Sequence, residues 1–177
     1  MSIEQFIVKS LGQWRSMRSG HSIAFKQFEQ IVSEITIKLL SHNDPNVLNL
    51  LKSSDKEDQL FLSPFQIDWE AESDWIQDDN KHKGKGSTIL IPFPKNNSNG
   101  FLLRSMGYAE AITSISSYRF LNDGTFVLST TYENTITEER IWFLSDFVRC
   151  RSSVIFTGKK SGILQTSFAS EIKTQTT

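Results

Sequence analysis

Glu139, Arg149, Arg151 and Ser153 are the residues whose types and spacing point to chemistry. They belong to one stretch, Glu138-Glu139-Arg140-Ile141-Trp142-Phe143-Leu144-Ser145-Asp146-Phe147-Val148-Arg149-Cys150-Arg151-Ser152-Ser153. It reads as two strands joined by a tight loop around Ser145-Asp146. Side chains alternate along a strand, so Arg149, Arg151 and Ser153 share one face. Val148, Cys150, Ser152, Val154 and Phe156 take the other. Two cations in adjacent same-face positions repel, and an ordinary β-core has no use for them. A cavity that receives an anion does. Glu139 joins the arginines only if the loop has an odd number of residues, as 144–146 would give. A loop of Ser145-Asp146 alone puts it on the opposite face. The alternative is an exposed ladder of ion pairs, since strand charges are usually solvated.

The elements that must position these residues are mostly short strands. Trp14, Ser16 and Arg18 alternate along a first strand that follows Gly12. Trp14 suits a plug closing one end of a barrel. Arg18 is harder to place, because a buried guanidinium needs an anionic or carbonyl partner. Helical spacing predicts a short helix over 2–10 and a second from Asp44-Pro45, with Asp44 as cap and Pro45 at the first helical position. His21 to Leu40 is ambiguous, but its second half alternates and is β-branched, so it is assigned as strand. From Ser63 onward every periodic segment has strand character. Phe65, Ile67, Trp69 and Ala71 share a face, and Trp75 extends it if the strand continues. Asn122-Asp123-Gly124 is a strong hairpin signal. About ten antiparallel strands with regular turn signals describe a barrel or sandwich, and a barrel of eight to ten strands holds one small ligand. The expected fold is all-β, one domain over 1–173, a barrel or sandwich, with a disordered tail over 174–177.

Composition narrows the function. A net charge of −1 over 177 residues gives no bulk electrostatic reason to bind nucleic acid or an anionic membrane. One cysteine excludes an intramolecular disulfide framework and fits a reducing, cytoplasmic setting. Cys150 alternates away from its flanking arginines, as a small buried residue would. No signal peptide, membrane-length apolar run, metal-ligand spacing or phosphate-cradling glycine loop stands out.

Trp14-Arg15-Ser16-Met17-Arg18-Ser19-Gly20-His21 resembles the W-x-S-x-R-S-x-H signature of the S-type phycobiliprotein lyases. Glu139-Arg140-Ile141-Trp142-Phe143 followed by Arg149-Cys150-Arg151-Ser152-Ser153 resembles their E-R-I-W-F…R-x-R-x-S signature. The resemblance runs from about Gly12 to about Glu171. Cys150 departs from it, in place of an aliphatic residue, as does Phe147, in place of a loop asparagine. It implies a ten-stranded lipocalin-like or fatty-acid-binding-protein-like barrel. It implies further that an open-chain tetrapyrrole bilin, phycoerythrobilin or phycocyanobilin, is held without a covalent bond and with no permanent cofactor. The bilin is then attached through a thioether to a cysteine of an apo-phycobiliprotein subunit of the phycoerythrin or phycocyanin type. In this scheme Arg149 and Arg151, with Arg18 as a weaker candidate, pair with the bilin propionates. Trp69 and Trp75 cover the pyrrole rings, and Ser153 shares the arginine face. Glu139 is the catalytic group that bonds to, or protonates, the pyrrole nitrogens and so activates the ethylidene carbon. No metal is required. A homodimer is compatible with exposed strand edges or an apolar outer wall. Two other classes remain open: a passive carrier of a small hydrophobic carboxylate, and an assembly factor that binds only the acceptor subunit.

Overall fold

A computed structural model describes residues 1–73, 84–105, 113–132, 134–158 and 162–174. Ten antiparallel strands follow one another around a closed barrel. They are β1 (Gly12–Ser22), β2 (Gln27–Leu39), β3 (Phe65–Ser73), β4 (Gly84–Pro94), β5 (Asn99–Arg104), β6 (Ser114–Phe120), β7 (Phe126–Thr131), β8 (Thr135–Phe143), β9 (Val148–Thr157) and β10 (Ile163–Lys173). Each strand pairs with its sequence neighbours, and β1 pairs with β10 to close the ring, so among the described residues the barrel has no free edge strand. The alternation of β2 extends back to Gln27, so the ambiguous segment after His21 is strand for most of its length.

Helix α1 (Ile3–Ser10) closes one end of the barrel. A capping box starts it: Ser2 accepts from the Gln5 amide while the Gln5 side chain accepts from the Ser2 amide. Its apolar face, Ile3, Phe6 and Ile7, packs into the barrel core. The Phe6 ring stacks on Phe126 at 4.3 Å between centroids and meets Phe120 and Phe143 edge-on. These aromatics terminate strands at the same end. Trp14 is fully buried there, and its indole N–H donates to the Ser10 carbonyl at 2.9 Å. That carbonyl belongs to the last turn of α1, whose orphan acceptors need partners. Lys173 Nζ donates to the Lys9 carbonyl in the same way, at 3.1 Å. Next to it, Thr174 hydrogen-bonds to the Gln13 carbonyl through its amide and its hydroxyl.

Helix α2 (Pro45–Ser53) starts at Asp44, which accepts from the Asn46 amide. It lies on the outer wall. Val47, Leu50 and Leu51 pack against Ile91, Phe93 and Leu103, the outward-facing residues of β4 and β5. This part of the sheet is therefore buried on both faces, which is why β4 is a nearly continuous apolar run. Its neighbours Leu90 and Leu102 point inward and join the lumenal core.

Candidate functional site

The lumen has two unlike walls. Strands β2 to β5 contribute mostly apolar side chains, among them Ile35, Ile37, Ile67, Trp69 and Leu90, with Arg104 at the end of β5. Strands β8 and β9 contribute Glu139, Arg149 and Arg151. The cavity between these walls has a volume of about 120 Å³.

The β8–β9 hairpin fixes which charges face inward. Phe143 pairs with Arg149, Ile141 with Arg151, and Glu139 with Ser153. The loop is Ser145-Asp146-Phe147, odd in length and one residue further along than 144–146. The Leu144 amide donates to the Val148 carbonyl at 2.9 Å, and Ser145 Oγ accepts from the amides of Phe147 and Val148. This register brings Glu139 to the same face as Arg149, Arg151 and Ser153. Cys150 pairs with Trp142 and points to the outer face, where it is nevertheless buried. Burial, and more weakly the charge of Glu171, push its thiol up from the ordinary range.

Arg149 and Arg151 do not stand alone. Glu171 of β10 places Oε2 at 2.5 Å from Arg149 Nε and Oε1 at 3.0 Å from Arg151 Nη2. Ser16 Oγ donates to the same Oε1 at 3.2 Å. Burial alone would raise the Glu171 carboxyl. The charges of Arg151 and Arg149, with hydrogen bonds from Arg149 and Ser16, outweigh it and hold the carboxyl below its usual range. Arg149 is the more deeply buried cation, its side chain 5 % exposed against 23 % for Arg151. Burial lowers its guanidinium from the ordinary value, Glu171 opposes that, and Arg151 adds to it. The guanidinium carbon lies 4.3 Å from the centroid of the Trp14 ring, a cation–π contact that ties the cluster to the closed end.

Glu139 has a different partner. Arg104 of β5 extends Nη1 to 3.7 Å from Glu139 Oε2. Both side chains are buried, and both line the cavity. Ser153 exchanges a hydrogen bond with Ser167 of β10 at 2.7 Å between hydroxyls. Arg18 lies toward the end away from α1, where Nη2 meets Glu29 Oε1 at 3.1 Å. Trp69 lines the lumen and lies flat over Gly86 of the paired strand. A Cβ at position 86 would come 2.1 Å from Trp69 Cζ2, so the residue must be glycine for the indole to keep this place. Trp75 lies outside the described residues.

Sequence reasoning passed over Arg104 and Glu171. Both carry a readable signal. Arg104 alternates with Gly100 and Leu102, and Glu171 with Ser167 and Ala169. Two inward arginines require a buried acid nearby, and an inward glutamate requires a cation. Among the described residues no cluster of histidine, cysteine or carboxylate could hold a metal ion.

Comparison with known proteins agrees with this geometry. The family model described as CpeS-like protein matches residues 2–174. "Chromophore lyase CpcS/CpeS 3" of Trichodesmium erythraeum is 45% identical over 98% of this chain and 99% of its own length. "Phycocyanobilin lyase subunit CpcS" of Picosynechococcus is 31% identical over 98% of this chain and 86% of its own. The solved S-type phycobiliprotein lyase CPES of Guillardia theta superposes with a TM-score of 0.85. It is 36% identical, and the match covers 100% of this chain and 95% of that one. The strand order, the two inward arginines and the near full-length matches place this chain in the CpeS-like family of chromophore lyases.

Proposed function

We propose that the barrel binds an open-chain bilin in its lumen and attaches it to a cysteine of an apo-phycobiliprotein subunit in the cytoplasm. The observation that carries this reading is the pairing of an apolar wall bearing Trp69 with a wall bearing Glu139, Arg149 and Arg151. A bilin is a conjugated, largely apolar ligand with propionates and a row of pyrrole nitrogens. The apolar wall suits its ring faces and the guanidiniums suit its carboxylates. Glu139 meets the nitrogens and supplies a proton, which makes the bilin cationic and its ethylidene carbon more electrophilic. The acceptor's thiolate adds to that carbon, and the displaced electron pair is taken up by the protonated conjugated system. Nothing is oxidised and nothing leaves. Because the nucleophile belongs to the acceptor, the chain contributes positioning and activation of the electrophile.

The test mixes purified protein with phycocyanobilin or phycoerythrobilin, records absorbance, adds apo-subunit, and maps the modified cysteine by mass spectrometry. A large spectral shift followed by a covalent adduct on the acceptor supports the reading. A spectral shift with no faster attachment than pigment and apo-subunit alone leaves a passive carrier. No shift at all leaves an assembly factor.

A further inference from the structure

The lumenal cavity lies against α1, since Ile3, Phe6 and Ser10 of that helix line it together with the barrel wall. Its volume of about 120 Å³ is well below the roughly 300–1,000 Å³ of pockets that enclose a whole small molecule. It is close to the size of a single ring. A cavity of about 150 Å³ lined by leucine, isoleucine and phenylalanine stays dry and takes up benzene. The lining here is of the same kind, with Phe6 of α1, Ile37 of β2, Leu90 of β4 and Leu128 of β7 among its members.

The lining is not uniform. The side formed by α1 and by β2 to β4 is apolar, whereas Glu139, Arg149 and Arg151 of β8 and β9 border the same space. A group seated here must present carbon to one side and hydrogen-bonding atoms to the other, because a buried polar atom without a partner is costly. The terminal lactam ring of an open-chain tetrapyrrole is divided in that way. Its N–H and carbonyl share one edge, and its two alkyl substituents occupy the opposite edge.

Helix α1 also decides which end of a linear tetrapyrrole enters the cavity. The helix is packed into the barrel through Ile3, Phe6 and Ile7, and the Trp14 indole holds its last turn at Ser10. An acceptor thiolate cannot reach an ethylidene carbon through it. The ring that carries this carbon must therefore lie toward the opposite end of the barrel. The other terminal ring is the one directed at α1.

We propose that the cavity beside α1 is a subsite for the terminal lactam ring that does not react. Resting on the bilin reading, this gives the pigment one polarity in the barrel. The alkyl edge of the ring meets Phe6, Ile37 and Leu90, and its lactam edge meets the β8–β9 wall. The two propionate-bearing rings follow, and the ethylidene-bearing ring comes last, toward the end away from α1. Pigment choice then depends on the volume of the alkyl substituents on the non-reacting ring, because close-packed apolar walls respond to a single methylene.

The test titrates the full chain with phycocyanobilin and with the corresponding tripyrrole, following absorbance, for wild type and Ile37→Phe. The tripyrrole keeps the ethylidene-bearing ring and both propionates and lacks the other terminal ring. Wild type should bind phycocyanobilin at least about tenfold more tightly than the tripyrrole, as burial of an additional ring requires. Ile37→Phe fills the cavity, so it should remove most of that preference and leave the tripyrrole's affinity unchanged. Equal affinities in wild type, equal losses for both pigments in the variant, or a preference that survives in the variant overturns the proposal while bilin binding itself stands. If the variant does not fold, by circular dichroism, wild type decides alone. Benzene should then compete with phycocyanobilin and not with the tripyrrole, and the absence of that difference overturns the subsite. Failure of wild type to bind either pigment removes the bilin reading, and the subsite with it.

Discussion

Glu171 Oε2 and Arg149 Nε meet at 2.5 Å where both side chains are at most 5 % exposed. An ion pair this deep is retained at the expense of desolvating both groups, so losing Glu171 leaves the buried Arg149 guanidinium without its carboxylate. Glu171→Gln should lower unfolding free energy at neutral pH by about 3–5 kcal/mol, the usual result of breaking a buried pair. The pH dependence has a definite sign. The folded carboxyl lies below its ordinary value of 4.5, so its stabilisation is complete above that range and is lost as pH falls through the folded value. Urea unfolding of wild type should weaken on acidification, and the variant should show a flatter acid limb. Equal acid limbs would contradict this account.

Arg149 and Arg151 are alike in sequence and unlike in place. Arg151→Ala should weaken bilin binding by about 1–3 kcal/mol, while Glu171 keeps its 2.5 Å bond to Arg149. Arg149→Ala removes that bond together with the packing on Trp14, so it should cost more in stability than Arg151→Ala does. Pigment titration alongside denaturant melts separates the two effects. Indistinguishable profiles for both variants would show that the pair acts as one unit.

Glu139 and Glu138 form a built-in control. Glu139 faces the lumen, whereas Glu138 faces outward and is held by Arg140 at 2.8 Å. Glu139→Gln should keep bilin binding and slow transfer to the acceptor far more, the pattern of a group acting mainly on the reacting state. Its bound spectrum should lie closer to that of unprotonated pigment. Glu138→Gln should match wild type, because its ion pair is partly exposed and weak. Single-turnover transfer assays with both variants check this. A silent Glu139→Gln would move activation to the acceptor protein.

Gly86 leaves room for the Trp69 indole. Gly86→Ala should drive that ring from the wall, since a Cβ there would lie 2.1 Å from Trp69 Cζ2. The expected outcome is altered tryptophan fluorescence and a smaller absorbance shift on adding bilin, with the strand pairing intact. An unchanged pigment titration would exclude Trp69 from the ligand surface.

The barrel was legible because its signals are local. Alternation in β8 and β9 and the Asp-Gly turn after β6 each follow from a few adjacent residues. The odd loop does not follow from strand alternation. It goes with Ser145 Oγ accepting the amides of Phe147 and Val148 inside the loop, a side-chain contact that periodicity does not reveal. Arg104 and Glu171 were passed over for a related reason. Each is a single charge near a strand end, where solvent exposure is the ordinary expectation. Each becomes meaningful only when paired with residues from another strand, 35 positions away for Arg104 and Glu139. Long-range charge pairing leaves no periodic trace in a sequence.

Helix α1 makes the barrel a vessel with a sealed floor. If the chain loads and delivers a bilin as proposed, both events use the end of the barrel opposite α1, so loading and delivery compete there, and an acceptor seated on an unfilled barrel stands in the way of filling it. Transfer should then proceed in a compulsory order, pigment before acceptor, and a large excess of acceptor should slow the cycle.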